Sequence, residues 1–216
     1  VSAKEEILGR IRSALSDVPK SAPEQDVPIE WRYVQPLATV DVLADLIEKV
    51  EDYKATVVTV GPTEVAEAIV DGLKRLGSHA VVLPAGLDKE WVAAVERTGL
   101  PIHYDEPQLT HFELNAIDTV VTTSAVAMAD SGTIALDHGA GQGRRALSLL
   151  PDRHICVVRA DQVVSDVPEG ISRLGEAIRA HQPITWISGG SATSDIELSR
   201  VEGVHGPRTL YVILVK

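Results

Sequence analysis

ADSGTIALDHGAGQGRR, residues 129–145, places a carboxylate and a Ser-Gly-Thr turn before a short apolar run, then three glycines and two arginines. Gly139, Gly141 and Gly143 fall at alternate positions. The run Thr133–Leu136 reads as a strand, and Arg144–Leu150 as the helix that follows it. Strand, glycine loop and helix start form an arrangement in which backbone N–H groups face outward and hold an anion. The glycines run G-x-G-x-G, which is not the dinucleotide fingerprint, and the lysine of a P-loop is missing. Two readings stand side by side: an anion cradle to which Arg144 or Arg145 adds charge, and a glycine turn with two solvated arginines.

On both sides of this stretch, helical and strand-like periods alternate. Leu37–Glu51 repeats apolar residues at helical spacing, and Thr56–Val60 is a β-branched strand. Thr63–Leu76 is a helix stopped by Gly77, and His79–Leu83 is a strand closed by Pro84. Leu87–Arg97 is a helix, and Ile102–Tyr104 a short edge strand. Asp118–Thr123, Gly132–Asp137, His154–Arg159, Pro183–Ile187 and Leu210–Val215 read as further strands, with a helix over Ser165–Ala180. Ser124–Met128 either extends the strand before it or turns into a short helix. Short, unbroken apolar strands separated by helices predict an α/β fold: a mostly parallel sheet with helices on both faces. Residues 37–216 are expected to form that single domain. Residues 1–36 precede it as an arm: an amphipathic helix over Ser2–Leu15 with Ser2 and Glu5 as its capping box, then a proline-rich connector. Trp31 and Tyr33 are expected to anchor the connector.

Composition bounds the partners. Acidic residues outnumber basic ones 31 to 20, a formal charge of −11 that repels a phosphate backbone, so no nucleic-acid partner is expected. Aromatics make up 4% of the chain, which leaves an aliphatic core. The single cysteine, Cys156, sits in an apolar run, and one thiol excludes an internal disulfide or a cluster held by this chain alone. No apolar run approaches the roughly 18 residues of a membrane span, and the charged first residues do not fit a signal peptide. A cytoplasmic protein is expected.

A second glycine stretch, Ser188–Glu197 (SGGSATSDIE), follows the strand Pro183–Ile187. Ser194 and Glu197 make a capping box, which predicts a helix from Ser194 that ends before Gly203. Asp195 would lie in its first turn, where the dipole favours a carboxylate. Capping does not account for the lead-in Gly189, Gly190, Ser191 and Thr193. The two glycine stretches are expected to converge on one pocket at the carboxyl edge of the sheet, where open α/β folds bind ligands. His205 and His138 suit either general acid/base work or a structural hydrogen bond. Paired-histidine zinc spacing, the G-x-S-x-G elbow and S-x-x-K are all missing, so no metal and no cofactor is expected. The remaining nucleophile candidates are Asp130 and the hydroxyls of Thr122, Thr123 and Ser124. A carboxylate attacking an acyl donor needs oxyanion donors beside it.

TTSAVAMADSGTIAL, GRRALSLLPDRHICVVR, GGSATSDIE and GVHGPR, in that order, resemble the lactate-utilisation (LUD) domain, in particular its protein C subgroup. The resemblance runs from the first helix to the last strand. It implies a fold like that of glucosamine-phosphate deaminase, ribose-phosphate isomerase and the CoA transferases. It also implies a place in a three-component system that oxidises L-lactate to pyruvate, beside two iron–sulfur proteins. The family's Glu-Thr-Gly-Thr is here Asp130-Ser131-Gly132-Thr133, and its Gly-Pro-Ser is Gly189-Gly190-Ser191. In related CoA transferases a glutamate before a small residue and glycine is the nucleophile. The acid here is one carbon shorter.

The resulting expectation is an accessory or regulatory subunit that binds a small anionic ligand, with iron–sulfur subunits as partners and a homo-oligomer left open. Its ligand residues would be Thr122, Thr123, Ser131, Gly132, Thr133, Gly139, Gly141, Gly143, Arg144, Gly189, Gly190, Ser191, Thr193 and Asp195. The alternative is a free-standing acyl or CoA transferase, or a sugar-phosphate isomerase, with Asp130 and His205 as catalytic residues.

Overall fold

The computed structural model describes residues 2–18, 37–193, 201–202 and 206–216. The chain divides into two units, Val1–Tyr33 and Val34–Lys216. In the first, helix α1 (Ala3–Ala14) starts at Ser2, whose hydroxyl accepts the Glu5 N–H while the Glu5 carboxylate accepts the Ser2 N–H at 2.8 Å. This reciprocal capping box is the one the sequence predicts. Trp31 and Tyr33 lie outside the described residues.

The second unit opens with α2 (Val42–Asp52), β1 (Thr56–Val60), α3 (Val65–Leu76), β2 (Val81–Leu83), α4 (Lys89–Glu96), β3 (Ile102–Tyr104), α5 (His111–Asn115) and β4 (Thr119–Thr123). It continues with β5 (Val126–Met128), β6 (Thr133–Leu136), β7 (Arg153–Arg159), β8 (Val163–Val164), α6 (Val167–Arg173), α7 (Gly175–Arg179) and β9 (Thr185–Ile187). Two short strands, β10 (Ala192–Thr193) and β11 (Val201–Glu202), precede the last strand, β12 (Thr209–Val215).

A six-stranded, all-parallel sheet carries the unit, in the order β1-β12-β7-β4-β2-β3. Side chains alternate across its strands. Ile155, Val157, Tyr211 and Ile213 pack under α3 and α4 with Ile69 and Val95. Cys156, Val158, Val212 and Leu214 pack on the other face, against Leu46 and Val50 of α2 and against Ile134 and Leu136. Burial on both faces explains why these strands read as unbroken apolar runs.

A second sheet covers the latter face: four strands in the order β8-β5-β6-β9, with β6 antiparallel to both β5 and β9. Ser124–Met128, ambiguous in sequence, supplies β5 as the first arm of a hairpin whose turn is Ala129–Gly132. The helix predicted over Arg144–Leu150 is a single 3-10 turn, Arg145–Ser148. Gly143 before it and Pro151 after it leave too few residues for an α-helix to propagate. The helix predicted over Ser165–Ala180 is two, α6 and α7, separated at Leu174 with Gly175 beginning the second.

Chain direction matters for the site. From β1 through β2 to β3 the connections run over the α3–α4 face, whereas the chain leaving β4 enters the second sheet on the opposite face. The strand order therefore reverses between β2 and β4, the kind of crevice in which open α/β sheets bind ligands.

Candidate functional site

The two glycine stretches lie at opposite edges of the parallel sheet. Gly141 donates its N–H to the Ala85 carbonyl just past β2 and accepts the Thr123 N–H at the end of β4, both at 2.8 Å. That is the carboxyl edge. Ser191 instead donates its N–H to the Pro207 carbonyl at 2.7 Å, just before β12 begins, at the amino edge. A seven-residue strand such as β12 separates the edges by roughly 20 Å. The expected common pocket is therefore not formed. Antiparallel pairing is the reason: β6 and β9 match Leu136 with Thr185 and Ile134 with Ile187. The loop after β6 and the stretch after β9 must leave opposite ends of that pair.

The loop Gly139–Gly143 plugs the crevice between β2 and β4. Three of its amides are spent within the protein: Gly139 donates to Asp137 Oδ1 at 3.1 Å, Gln142 to the Gly139 carbonyl and Gly141 to the Ala85 carbonyl. Gln142, 5% exposed, braces the loop by accepting from the Asp137 and His138 amides and donating to Asp137 Oδ1. Thr123 Oγ1 donates to the Ala140 carbonyl. Arg144 forms a bidentate pair with Asp105 at 2.7 and 3.0 Å and also donates to the Leu109 carbonyl. That guanidinium holds the Asp105 carboxyl below its ordinary range against the opposing effect of burial. Packing and hydrogen bonding thus account for Thr123, Gly139, Gly141 and Arg144, while Gly143 accepts from His138 Nδ1 at 2.9 Å.

What the antiparallel pairing does bring together is the Asp130–Thr133 turn and the second glycine stretch. Thr133 Oγ1 and Ser188 Oγ are 2.7 Å apart. Gly132 sits against Lys49 of α2, and Gly189 against Tyr53 just beyond it. A Cβ on Gly189 would come within 2.5 Å of Tyr53 Cβ, and one on Gly190 within 2.2 Å of the Arg208 carbonyl oxygen. Only glycine fits at either position. Asp130 is exposed at the hairpin tip and Ser131 Oγ is buried without a partner among the described residues. Thr193 belongs to β10 and pairs with Val201. Ser194, Asp195, Glu197 and His205 lie outside the described residues.

Beside the second stretch lies a cavity of about 420 Å³, between the amino ends of β7 and β12 and the strand β9. Ser148, His154, Thr185, Ser188, Gly190 and Ser191 are among its lining residues. Thr185 Oγ1 is held by His138 Nε2 at 2.9 Å, so the histidine after β6 braces the cavity wall. His154 is the residue the sequence reading passed over. It is 1% exposed, and its Nε2 lies 2.7 Å from Thr122 Oγ1. Its Nδ1 has no hydrogen-bond partner among the described residues. Burial lowers its pKa to about 4, so the imidazole is neutral at pH 7. Thr122, fully buried on β4, does not line the cavity but positions that ring. Burial also pushes the Cys156 thiol up to about 12, which keeps it protonated and poorly nucleophilic.

The lining offers hydroxyls, glycine backbone and one uncharged imidazole. Among the described residues, no group of three or more His, Cys, Asp or Glu is placed to hold a metal ion. Likewise, among the described residues no helix is long and apolar enough to cross a membrane.

A mostly parallel α/β sheet with this hairpin and glycine stretch is matched over residues 37–215 by the family model of the LUD domain, and the chain belongs to that family. It is similar to the lactate utilization protein C of Deinococcus radiodurans, 46% identical over 99% of this chain and 95% of that protein. It is also similar to the lactate utilization protein C of Geobacillus thermodenitrificans, 27% identical over 90% of this chain and 87% of that one. Among solved structures, a DUF162 family protein from Deinococcus radiodurans superposes with a TM-score of 0.71 at 42% identity, covering 84% of this chain and 100% of that chain.

Proposed function

We propose that the chain acts in lactate utilisation as an accessory or regulatory subunit that binds a small carboxylate in the His154 cavity. Oxidation of lactate would take place on iron–sulfur partner chains. The names of its relatives, lactate utilization protein C, support the pathway. The observation that carries the ligand reading is the cavity of about 420 Å³ lined by the Ser188–Ser191 glycine stretch, Ser148 and Thr185, with the buried His154 in its wall. Among the described residues the lining holds no Lys or Arg side chain, so the ligand's charge would be met by the dipoles of the Ser188–Ser191 backbone rather than by a cation.

The test is a calorimetric titration of the purified chain with L-lactate and pyruvate, run beside an assay for lactate oxidation. The reading predicts saturable binding without turnover, and turnover only when iron–sulfur partner chains are added. Lactate oxidation by the pure chain, or no binding of either acid, contradicts it.

A further inference from the structure

Among the described residues the six-stranded sheet has two open edges, β1 and β3, and the second sheet two more, β8 and β9. Three of the four are short: β3 and β9 have three residues each and β8 has two. Pro101 directly precedes β3, and Pro183 lies two residues before β9. Short strands and prolines keep a sheet edge from pairing with another chain. The edge strand β1 has neither device. Its five residues, TVVTV, are β-branched throughout, without a charge, a proline or a glycine, and all five stay in register with β12, so no bulge interrupts them. Val60 turns its carbonyl towards the inside of the sheet, where it accepts the Lys216 N–H at 3.0 Å. Backbone groups along a strand alternate in direction. Thr56 and Val58 therefore face β12 as Val60 does, and the N–H and C=O groups of Val57 and Thr59 point out of the open edge. Neither residue has a partner on that side among the described residues. Thr59 is exposed and Val57 half-buried.

We infer that β1 is the surface through which two copies of the chain associate, β1 lying antiparallel to β1 about a two-fold axis at Val58. The occupant is a second copy because the edge is complementary to itself. In that register Val57 of each copy faces Thr59 of the other as a hydrogen-bonded pair, each pair exchanges both of its bonds, and every outward group on both strands is met. The neighbouring registers are poorer. An axis at Val57 sets Thr59 against Ala55, whose N–H is already given to the Val50 carbonyl. An axis at Thr59 sets Val57 against Gly61, whose N–H is already given to Glu64 Oε2. Charge favours the same arrangement, because antiparallel pairing brings the start of one β1 beside the end of the other. Lys54, just before the strand, has no ion pair among the described residues, and Glu64 ends the 3-10 turn Pro62–Glu64 just after it. Lys54 of each copy thus comes beside Glu64 of the other, an attraction repeated at both ends of the contact.

Sedimentation velocity of the full chain over a concentration series should show a dimer. Amide hydrogen exchange on the wild type locates the contact: Val57 and Thr59 should be protected in the dimer and exchange freely in the monomer, while Val58 and Val60, bonded to β12, stay protected in both. Thr59→Lys changes an exposed side chain and sets two lysines diagonally across the two-fold axis. It should weaken association at least about tenfold and leave the monomer folded. Thr59→Pro removes an outward N–H at a sheet edge, where proline is accepted, and should leave a monomer. A chain that stays monomeric at every concentration, or a dimer in which the Val57 and Thr59 amides exchange freely, overturns the inference. So does a Thr59→Lys variant that associates as tightly as the wild type. The exchange measurement is made on the wild type, so the inference stays exposed to refutation even if a variant does not fold.

Discussion

Thr122 on β4 and His154 on β7 meet with 2.7 Å between Oγ1 and Nε2, both of them closed to solvent. The contact exists because β4 and β7 run parallel in a register that sets Val120 opposite His154 and Thr122 opposite Cys156. It joins the middle of the sheet to the wall of the cavity.

Stability should fall on mild acidification because of His154. An unfolded histidine titrates near its ordinary value of 6.5, whereas burial holds the folded one at about 4. Between those values the unfolded chain binds the extra proton, so stability is complete above about pH 6.5 and is lost as pH falls towards 4. The full effect is about 3 kcal/mol at one pKa unit per 1.36 kcal/mol. Urea unfolding from pH 7 to 4 should show this slope in the wild type and a shallower one in His154→Gln.

Thr122→Val should destabilise the chain by about 1–3 kcal/mol despite its near-identical shape, because it leaves Nε2 of His154 buried and unpaired. Equilibrium denaturation measures the loss. A variant as stable as the wild type would remove Thr122 from the positioning role.

Gly190→Ala should cost about 1–3 kcal/mol through overpacking, since its methyl would lie 2.2 Å from the Arg208 carbonyl oxygen. Thermal unfolding is the readout. The substitution also pushes on the cavity rim, so carboxylate binding should weaken beyond what the lost stability explains.

Arg144→Lys should destabilise the carboxyl edge, because a lysine cannot reproduce the bidentate bond to Asp105 or the third donation to the Leu109 carbonyl. The loss should appear as a lower unfolding midpoint. Carboxylate binding at the amino edge should stay within about twofold of the wild type, because distant sites couple weakly. A large drop in affinity would return Arg144 to the ligand.

The parallel sheet was legible because its strands are uniform apolar runs between amphipathic helices, and Gly77 and Pro84 mark their ends. The second sheet was not. Val126–Met128, Thr133–Leu136 and Thr185–Ile187 are three or four residues each, too short for periodicity to reveal their pairing. Direction is the missing quantity: antiparallel pairing of β6 with β9 sends the two glycine stretches to opposite edges, and no local pattern encodes it. His154 escaped notice for a related reason. In sequence it is one histidine at the start of an apolar strand, and its partner Thr122 lies 32 positions away. Gly189 and Gly190 were conspicuous as a polar-glycine stretch, yet the contacts with Tyr53 and Arg208 that require glycine appear only in three dimensions.

The most direct test is an amide and imidazole chemical-shift map of the full chain titrated with L-lactate. The account predicts saturable shifts concentrated at His154 and along Thr185–Ser191, with the loop Gly139–Gly143 unmoved. Shifts centred on Gly139–Gly143 and Thr123 instead, or none at all, would contradict it.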